Sequence, residues 1–377
     1  MKATCHEATS TNSDALQNNP ESTPTTAAIM TIDPTEEWAR VALSESGKWI
    51  LAGKVIGPCR ELTISSTSEA PVEISVDPES TEQSTRRYPG ALRLLSAEPI
   101  GVFDVVNVVE VEQYTACVVV HEVWPTFTDA AMRAQAIASR TFVLYQMGRR
   151  DSQPYDVSST QGSQVYRGLR DDALGRRAEA ATRDTRGVVC TVETETGPRL
   201  FCAYYSAACG GVTQSAAIFG PESDVAPLSG GVRCDHCRGA PPGYFRWGPI
   251  RMNRDAALDR LAVRFEEARA IDRIAHVQSL EQSAGGRAVS LRVTGENGAA
   301  FDVLAERLRL ALGGGDIRST AFDSRLDGDN LVFENGRGFG HGLGLCQWGA
   351  QGLSLLGKST AEILHFYYPG MHLARAY

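Results

Sequence analysis

The sequence predicts an α+β fold with a strand-rich mixed core and several packed helices. Short runs of β-branched and aromatic residues, divided by Gly, Pro and Ser, indicate strands in the first third of the chain. Other segments repeat small or apolar residues every three or four positions, as amphipathic helices do. The length of 377 residues and the hydrophobic content of 42% allow a sizeable core and two structural units.

Composition excludes several classes of partner. The formal net charge is −8, and Lys and Arg are scattered, so the basic surface of a nucleic-acid-binding protein is missing and we expect no nucleic acid partner. The longest unbroken apolar run, residues 116–120, is too short for a membrane span, and the chain does not open with a signal-peptide pattern, so we expect no transmembrane segment. Nine cysteines, an odd number, indicate a reducing compartment such as the cytoplasm.

The amino-terminal third divides into a leader and a strand-rich part. Residues 1–30 are rich in Ser, Thr, Asn and Pro and almost lack large apolar side chains, which predicts a disordered leader. Residues 31–104 form the predicted strand-rich part, and a third region follows over 105–377. Within these regions we predict strands at residues 49–51, 72–76, 91–95 and 102–111.

The period of the pattern changes after residue 127. Thr128 can cap a helix whose alanines at 130, 134 and 138 recur every four residues, and Gly148 is typical of its end. Two hairpins follow, with turns near Gly197 and at residues 285–286. Residues 252–268 and 303–315 have the pattern of further helices.

The most unusual stretch is residues 336–352, where seven of the seventeen positions are glycine. Gly352, Gly357, Lys358 and Ser359 match the spacing of a phosphate-binding loop. The intervening residues are apolar, however, and Ser359 with Glu362 reads as the capping box of a new helix. We therefore reject nucleotide binding and interpret the glycines as a surface on which the main chain can approach an extended ligand such as a sugar strand, with His341 and Gln347 as polar contacts.

Several segments, taken together and in order, resemble the stage II sporulation protein D and amidase enhancer (SpoIID/LytB) family of cell-wall proteins. They span about residues 105–370 and read VNVVEVEQYTACVVVHEVWP, AMRAQAIASRTFVLYQ, SSTQGSQVYRG, AYYSAACGGVTQS, ALGGGDIRSTAF and GRGFGHGLGLCQWGAQGLSLLGKSTAEILHFYYPG. One departure is Trp124, which is inserted between Val123 and Pro125 of the family pattern.

The resemblance implies an α+β fold and an activity at the cell wall. Active members cleave peptidoglycan glycan strands as lytic transglycosylases, on strands that an amidase has stripped of stem peptides, whereas other members enhance an amidase without cleaving. It implies Glu122 as the catalytic residue, no required cofactor, glycan strands and an amidase as partners, and a location in the cell envelope or periplasm. By position it also implies substrate-binding residues, which are Arg140, Ser163, Gln164, Tyr205, Ser206, His341 and Gln347.

Glu122 fits the chemistry of glycosidic cleavage, which needs a proton for the leaving oxygen. Its apolar sequence neighbours favour a protonated carboxyl by desolvation. The same carboxylate can then take a proton from the C6 hydroxyl of the sugar, so one carboxylate suffices. The alternatives are an ion pair with Arg133 or a cap on the helix that begins after Thr128. For Arg140 a purely structural role is an equal alternative.

The cysteines suggest a metal site. Cys234, His236 and Cys237 lie in a loop, and Cys209 can complete the four ligands of a structural zinc ion. A disulfide or free thiols are the alternatives. Cys346 could also pair with His341 as a nucleophile, although no third orienting residue is evident.

Overall fold

The computed structural model describes residues 2–7, 41–44, 46–51, 54–58, 60–66, 70–75, 85–99, 101–149, 153–220 and 225–377. These residues form two compact units, each discontinuous in sequence. The amino-terminal unit comprises residues 1–122 and 146–180, and the carboxy-terminal unit comprises 123–145 and 181–377. Helices and mostly antiparallel strands occur in both, which confirms the predicted α+β class.

The amino-terminal unit is built mainly of strands. Its elements are β1 (Lys2–Glu7), β2 (Val41–Leu43), β3 (Lys48–Leu51), β4 (Lys54–Pro58), β5 (Glu61–Ser65), β6 (Val72–Ser75), β7 (Thr85–Tyr88), β8 (Ala91–Ala97), β9 (Val102–Glu110), helix α1 (Val111–Glu122) and β10 (Val157–Ser158). The largest sheet has the order β10-β1-β9-β8-β5, while β2-β3-β4 and β6-β7 form smaller ones. Trp49 anchors a small core between them and is fully buried, with its ring 5.2 Å from that of Phe103.

Strand β1 differs from the prediction of a disordered leader over residues 1–30. It pairs antiparallel with β9 and parallel with β10, so its backbone hydrogen bonds come from distant segments that the local composition cannot reveal. The remainder of the leader lies outside the described residues. The boundary that we predict between residues 104 and 105 falls inside β9, and as a domain division it stays a prediction.

Helix α1 was not predicted from the sequence. Its three consecutive valines are β-branched residues, which are more common in strands than in helices. Val118, Val119 and Val120 are all buried, so tertiary packing outweighs their modest helix propensity. The helix places Glu122 at its carboxyl end.

The carboxy-terminal unit contains most of the remaining elements. They are helix α2 (Asp129–Gly148), helix α3 (Ala173–Asp184), β11 (Val188–Thr194), β12 (Gly197–Leu200), β13 (Tyr205–Ser206), β14 (Arg246–Trp247), β15 (Ile250–Asn253), α4 (Arg254–Ala262), β16 (Ile274–Gln282), β17 (Ala288–Gly295), β18 (Ala300–Leu304), α5 (Ala305–Gly313), β19 (Asp323–Asp327), β20 (Asn330–Glu334), β21 (Gly336–Arg337), β22 (Leu345–Cys346), α6 (Gln347–Leu355), α7 (Thr360–Tyr367) and β23 (His372–Arg375). The last three residues of α2 and the first eight of α3 count with the amino-terminal unit.

Helix α2 confirms its predicted start and end. The Oγ1 of Thr128 accepts a hydrogen bond from the amide of Ala131 at 3.4 Å, and the helix ends at Gly148. Ala134 and Ala138 of the predicted alanine ridge are fully buried, which allows close packing along that face.

Residues 247–333 form a separate core inside the carboxy-terminal unit. Strands β15-β20-β19 and β16-β17-β18 make two three-stranded sheets, and helices α4 and α5 pack with them around buried residues such as Leu261, Val293 and Leu308. The predicted hairpin of β16 and β17 and the amphipathic helix α5 are confirmed.

The rejected phosphate loop is a junction between two helices. Helix α6 ends at Leu355, Gly357 has a φ of 82°, and Ser359 caps α7 with both hydrogen bonds of a capping box to Glu362. Every residue of the apparent motif is thus explained by helix termination and initiation. Among the described residues, no helix has both the length and the apolar character needed to cross a membrane.

We expect Ser359→Ala to lower the free energy of unfolding by about 1 kcal/mol, because the amide of Glu362 loses its acceptor. Urea denaturation followed by circular dichroism measures this. Thr196→Ala, in an exposed turn, is the matched control and should change stability by less than about 0.5 kcal/mol. Equal effects of the two substitutions would contradict the capping role.

Candidate functional site

Glu122 is the last residue of α1 and is half-buried. Its Oε1 accepts a hydrogen bond of 2.9 Å from the amide of Val165. That amide belongs to the segment SSTQGSQVY, one of those that carry the family resemblance. Within the amino-terminal unit, the structure therefore brings the predicted catalytic carboxylate to the predicted Ser163 and Gln164 segment.

This segment is fixed by its own hydrogen bonds. The Oγ of Ser163 accepts from the amide of Ser158 at 3.2 Å, and the hydroxyl of Tyr166 donates to Asn107. Gln164 is only 1% exposed, and its Oε1 accepts from the hydroxyl of Tyr114 at 3.0 Å. These contacts favour a positioning role for Gln164, whereas Ser163 is half-buried and keeps some surface.

His121, adjacent to Glu122, was missed by the sequence reasoning. Its Nε2 lies 3.1 Å from the carbonyl oxygen of Gly168, so the hydrogen of a neutral ring is assigned to Nε2. Burial lowers the pKa of His121 to about 4, and the nearby guanidinium groups of Arg167, Arg170 and Arg86 act in the same direction. At neutral pH the imidazole is uncharged, so it adds no positive charge beside the carboxylate.

The contacts of helix α2 argue against the two alternative roles of Glu122, which were a cap on this helix and an ion pair with Arg133. Thr128 caps this helix itself. Arg133, the proposed partner of Glu122, instead forms an ion pair with Asp184, with Nη2 and Oδ2 2.8 Å apart.

Arg140 is fully buried, with 0% of its surface exposed. Its guanidinium donates to the carbonyl oxygens of Val188 at 3.0 Å and Thr182 at 3.1 Å, and to the Oγ1 of Thr185 at 3.5 Å. A side chain without exposed surface cannot touch a glycan strand in this conformation. The structure therefore favours the structural alternative over the predicted substrate contact.

The glycine-rich stretch packs against the chain itself. Gly338, Gly340, Gly342 and Gly344 all have φ between 60° and 90°, which only glycine adopts readily. A Cβ on Gly344 would lie 2.1 Å from the carbonyl oxygen of Tyr204. The interpretation of this backbone as a surface for a ligand is therefore corrected, because these glycines let two segments of the protein approach each other.

Hydrogen bonds join the same two segments. Ala208 and Phe339 exchange two backbone hydrogen bonds, of 3.0 and 2.8 Å, and β13 pairs parallel with β22. The buried guanidinium of Arg287 donates to the carbonyl oxygens of Gly340 at 3.0 Å and Cys209 at 2.8 Å. The glycine-rich stretch and residues 204–210 are thus fixed as one body.

His341 projects from this stretch and is half-buried. The amide of Leu343 donates to its Nδ1 at 3.0 Å, so the hydrogen of the neutral ring is assigned to Nε2. Burial lowers the pKa of His341 to about 4, and the neighbouring Glu306 carboxylate opposes that shift. The ring lines a small pocket with residues that include Gln214, Glu306 and Thr320. A neutral N–H donor is suited to a sugar hydroxyl, and the contact stays a prediction.

The other predicted contact residues of the carboxy-terminal unit differ in accessibility. Tyr205 is half-buried, whereas Ser206 and Gln347 are each 6% exposed. The Nε2 of Gln347 donates to the Oε1 of Gln135 at 3.3 Å, which favours a structural role. The buried Oγ of Ser206 has no hydrogen-bond partner among the described residues, and its predicted contact with substrate stays a prediction.

An aromatic cluster, which we call the Trp124 cluster, was also missed. Trp124 is 42% exposed, and its ring centroid lies 5.9 Å from those of both Tyr244 and Trp348. Phe127 and Phe339 support these rings at 5.1 and 4.9 Å. The signal for this cluster was present in the sequence as the tryptophan that interrupts the family pattern.

The cysteine set differs from the predicted one in a single residue. The sulfur atoms of Cys209, Cys234, Cys237 and Cys346 all lie within 4.8 Å of one another. His236 is not among them, because its ring packs against Phe366 with the centroids 5.6 Å apart. The predicted ligand His236 is therefore replaced by Cys346. Burial among these sulfurs raises the pKa of the Cys346 thiol, which disfavours its alternative role as a nucleophile.

We expect Arg140→Lys to lower the free energy of unfolding by about 2 kcal/mol, because an ammonium group cannot serve the two separated carbonyl oxygens and leaves buried acceptors unpaired. Arg133→Lys on the same helix, at an exposed ion pair, should change stability by less than about 0.5 kcal/mol. Both values are measurable by urea denaturation. A stable Arg140→Lys protein with weakened glycan binding would instead support a substrate contact.

Two family models match separate segments of the chain. Residues 100–192 match the family model described as Stage II sporulation protein, which includes Glu122 and the segment that holds it. Residues 239–344 match a domain of unknown function (DUF8618), which includes the separate core around β15 to β20.

Three relatives are informative. An uncharacterized protein of Brachyspira hyodysenteriae is 30% identical over 272 residues, which cover 71% of this chain and 68% of that protein. Stage II sporulation protein D of Bacillus subtilis is 24% identical over 327 residues, or 80% of this chain and 87% of that protein. The amidase enhancer of Bacillus subtilis is 36% identical over 73 residues, 19% of this chain and 10% of the enhancer. The chain therefore belongs to the stage II sporulation protein D family.

Proposed function

We propose that this protein cleaves peptidoglycan glycan strands as a lytic transglycosylase, with Glu122 as its catalytic residue. The observation that carries the proposal is the hydrogen bond from the Val165 amide to the Oε1 of Glu122, which orients one carboxylate at the end of α1. Membership in the stage II sporulation protein D family supports a role at the cell wall.

The hydrogen bond assigns the two carboxyl oxygens different tasks. Because Oε1 accepts the amide hydrogen, the proton of the acid form resides on Oε2. In the proposed reaction, Oε2 gives this proton to the glycosidic oxygen while the bond from that oxygen to the anomeric carbon breaks. The carboxylate then takes the proton of the C6 hydroxyl, whose oxygen bonds to the anomeric carbon and closes the 1,6-anhydro ring. Water is not consumed, and the proposed reaction requires no cofactor.

The Trp124 cluster supports a saccharide as the ligand. Sugar rings present C–H faces that pack on exposed aromatic rings, and Trp124 is the exposed member of a group whose other rings hold it in place. We assign the cluster to glycan binding and, with a wall substrate, locate the protein in the cell envelope.

The second candidate function is a wall-binding protein that stimulates an amidase without cleaving glycan. The match of 73 residues to an amidase enhancer favours it. Both candidates require glycan binding, and only the first requires the Glu122 carboxyl.

We expect Glu122→Gln to lower the release of anhydro-muramic products by about 10²- to 10⁴-fold, because the amide cannot donate and retrieve a proton. Mass spectrometry of purified peptidoglycan, with and without amidase pretreatment, measures the products. Glu112→Gln, at the opposite end of α1, is the matched control and should retain full activity. If the wild-type protein releases no anhydro ends but still accelerates an amidase, the second candidate is correct.

We expect Trp124→Ala to weaken binding to denuded glycan strands by about tenfold, close to 1.4 kcal/mol, through loss of the exposed aromatic face. Binding is measured by calorimetry in the Glu122→Gln background, which prevents turnover. Tyr377→Ala removes an aromatic ring of similar exposure, 44%, and should leave affinity unchanged. Unchanged affinity for Trp124→Ala would remove the cluster from the binding surface.

A further inference from the structure

Four buried cysteines meet at one point of the carboxy-terminal unit. Cys209 follows β13, Cys234 and Cys237 are separated by two residues in a short turn, and Cys346 is the N-cap of α6. We propose that these four thiolates bind one structural zinc ion. The proposal concerns the stability of the fold and is independent of the proposed glycan cleavage.

The spacing of the sulfur atoms fits a tetrahedral ion. Zinc–sulfur bonds of about 2.3 Å place the sulfurs of a tetrahedral site about 3.8 Å apart. The Sγ atoms of Cys209 and Cys237 lie 3.7 Å apart, and all four lie within 4.8 Å of one another. A disulfide needs about 2.05 Å between sulfurs, and an iron–sulfur cluster needs a wider cage than this one. A single ion is therefore the occupant that the geometry accommodates.

The surroundings are those of thiolates and not of apolar side chains. The Sγ of Cys346 accepts hydrogen bonds from the amides of Cys209 at 3.2 Å and Gly349 at 3.3 Å. The hydroxyl of Tyr367 lies 3.0 Å from the Sγ of Cys234. Such donors offset the negative charge of ligating sulfurs and orient them.

Charge balance also favours a divalent ion with four thiolates. Four thiolates and one divalent ion together have a net charge of −2. The buried guanidinium of Arg287, which donates a hydrogen bond to the carbonyl oxygen of Cys209, contributes a positive charge nearby. Each of the four cysteines is at most 3% exposed. Because all four positions are filled by protein, the ion has no open site for water and its role is structural.

The backbone around the cluster is shaped for close approach. A Cβ on Gly349 would lie 2.7 Å from the Sγ of Cys234, and one on Gly352 would lie 2.3 Å from the carbonyl oxygen of His236. Because these two positions have no side chain, helix α6 packs directly against the Cys234–Cys237 turn. The ion would tie together this turn, residue 209 and the end of the glycine-rich stretch.

The first test measures metal in the purified full-length protein. Inductively coupled plasma mass spectrometry should find one zinc per chain after extensive dialysis. A cobalt-grown preparation should show the thiolate-to-cobalt charge-transfer and visible bands of a tetrahedral tetrathiolate site. Two disulfides among Cys209, Cys234, Cys237 and Cys346, identified by peptide mapping, would overturn the proposal. So would free thiols at all four positions without bound metal, or stoichiometric iron in place of zinc.

The second test distinguishes the ligands. Cys346→Ser should lower zinc content at least fivefold, whereas Cys190→Ser, at a buried free cysteine outside the cluster, and His236→Ala should retain one zinc per chain. Loss of zinc in His236→Ala with retention in Cys346→Ser would overturn the assigned ligand set. If Cys346→Ser does not fold, the spectrum of the cobalt-loaded wild-type protein decides the question, because four thiolate ligands give a stronger thiolate-to-cobalt charge-transfer band than three thiolates and one imidazole.

Discussion

The close packing of the glycine-rich stretch onto residues 204–210 is the constraint on which the carboxy-terminal unit depends. Gly344 cannot carry a side chain, because a Cβ at this position would lie 2.1 Å from the carbonyl oxygen of Tyr204. This contact sets the direction of His341, the start of α6 and the position of Cys346. Arg287 then fixes the two segments by bonding a carbonyl oxygen on each. One buried cation and four small residues thus determine where most of the candidate contact residues lie.

The elements that sequence predicted well are those whose cause is local. The Ser359 and Glu362 capping box, the Thr128 cap and the hairpin at residues 285–286 each follow from chemistry within a few positions. Helix α1 and strand β1 did not follow, because burial of the valines and pairing with β9 depend on segments far away in the chain. Such tertiary effects override propensity without leaving a local trace.

For the candidate site, the sequence predicted the chemical types of the residues better than their positions in the structure. Residue type indicated an imidazole and a set of thiolates, and the carboxylic acid was implied by the family resemblance. Glu122 and the four cysteines each lie where segments distant in sequence meet. Residue type could not indicate depth, so Arg140, Gln164 and Gln347 were expected at the surface and are buried. Residue type also could not identify the fourth member of the cysteine cluster. His236 is next to Cys237 in sequence, but the residue that lies beside the other three sulfurs is Cys346, which is 109 positions after Cys237.

The alternating glycines have an implication for how relatives of this chain are recognised. Their spacing is dictated by steric exclusion inside the molecule and would be retained by any protein that folds this way, including one that has lost its acid. A motif built on GFGHGLG therefore detects an architecture. Under the function proposed above, whether a given sequence carries out chemistry on the wall has to be asked at the position of Glu122, which lies more than two hundred residues away from that motif.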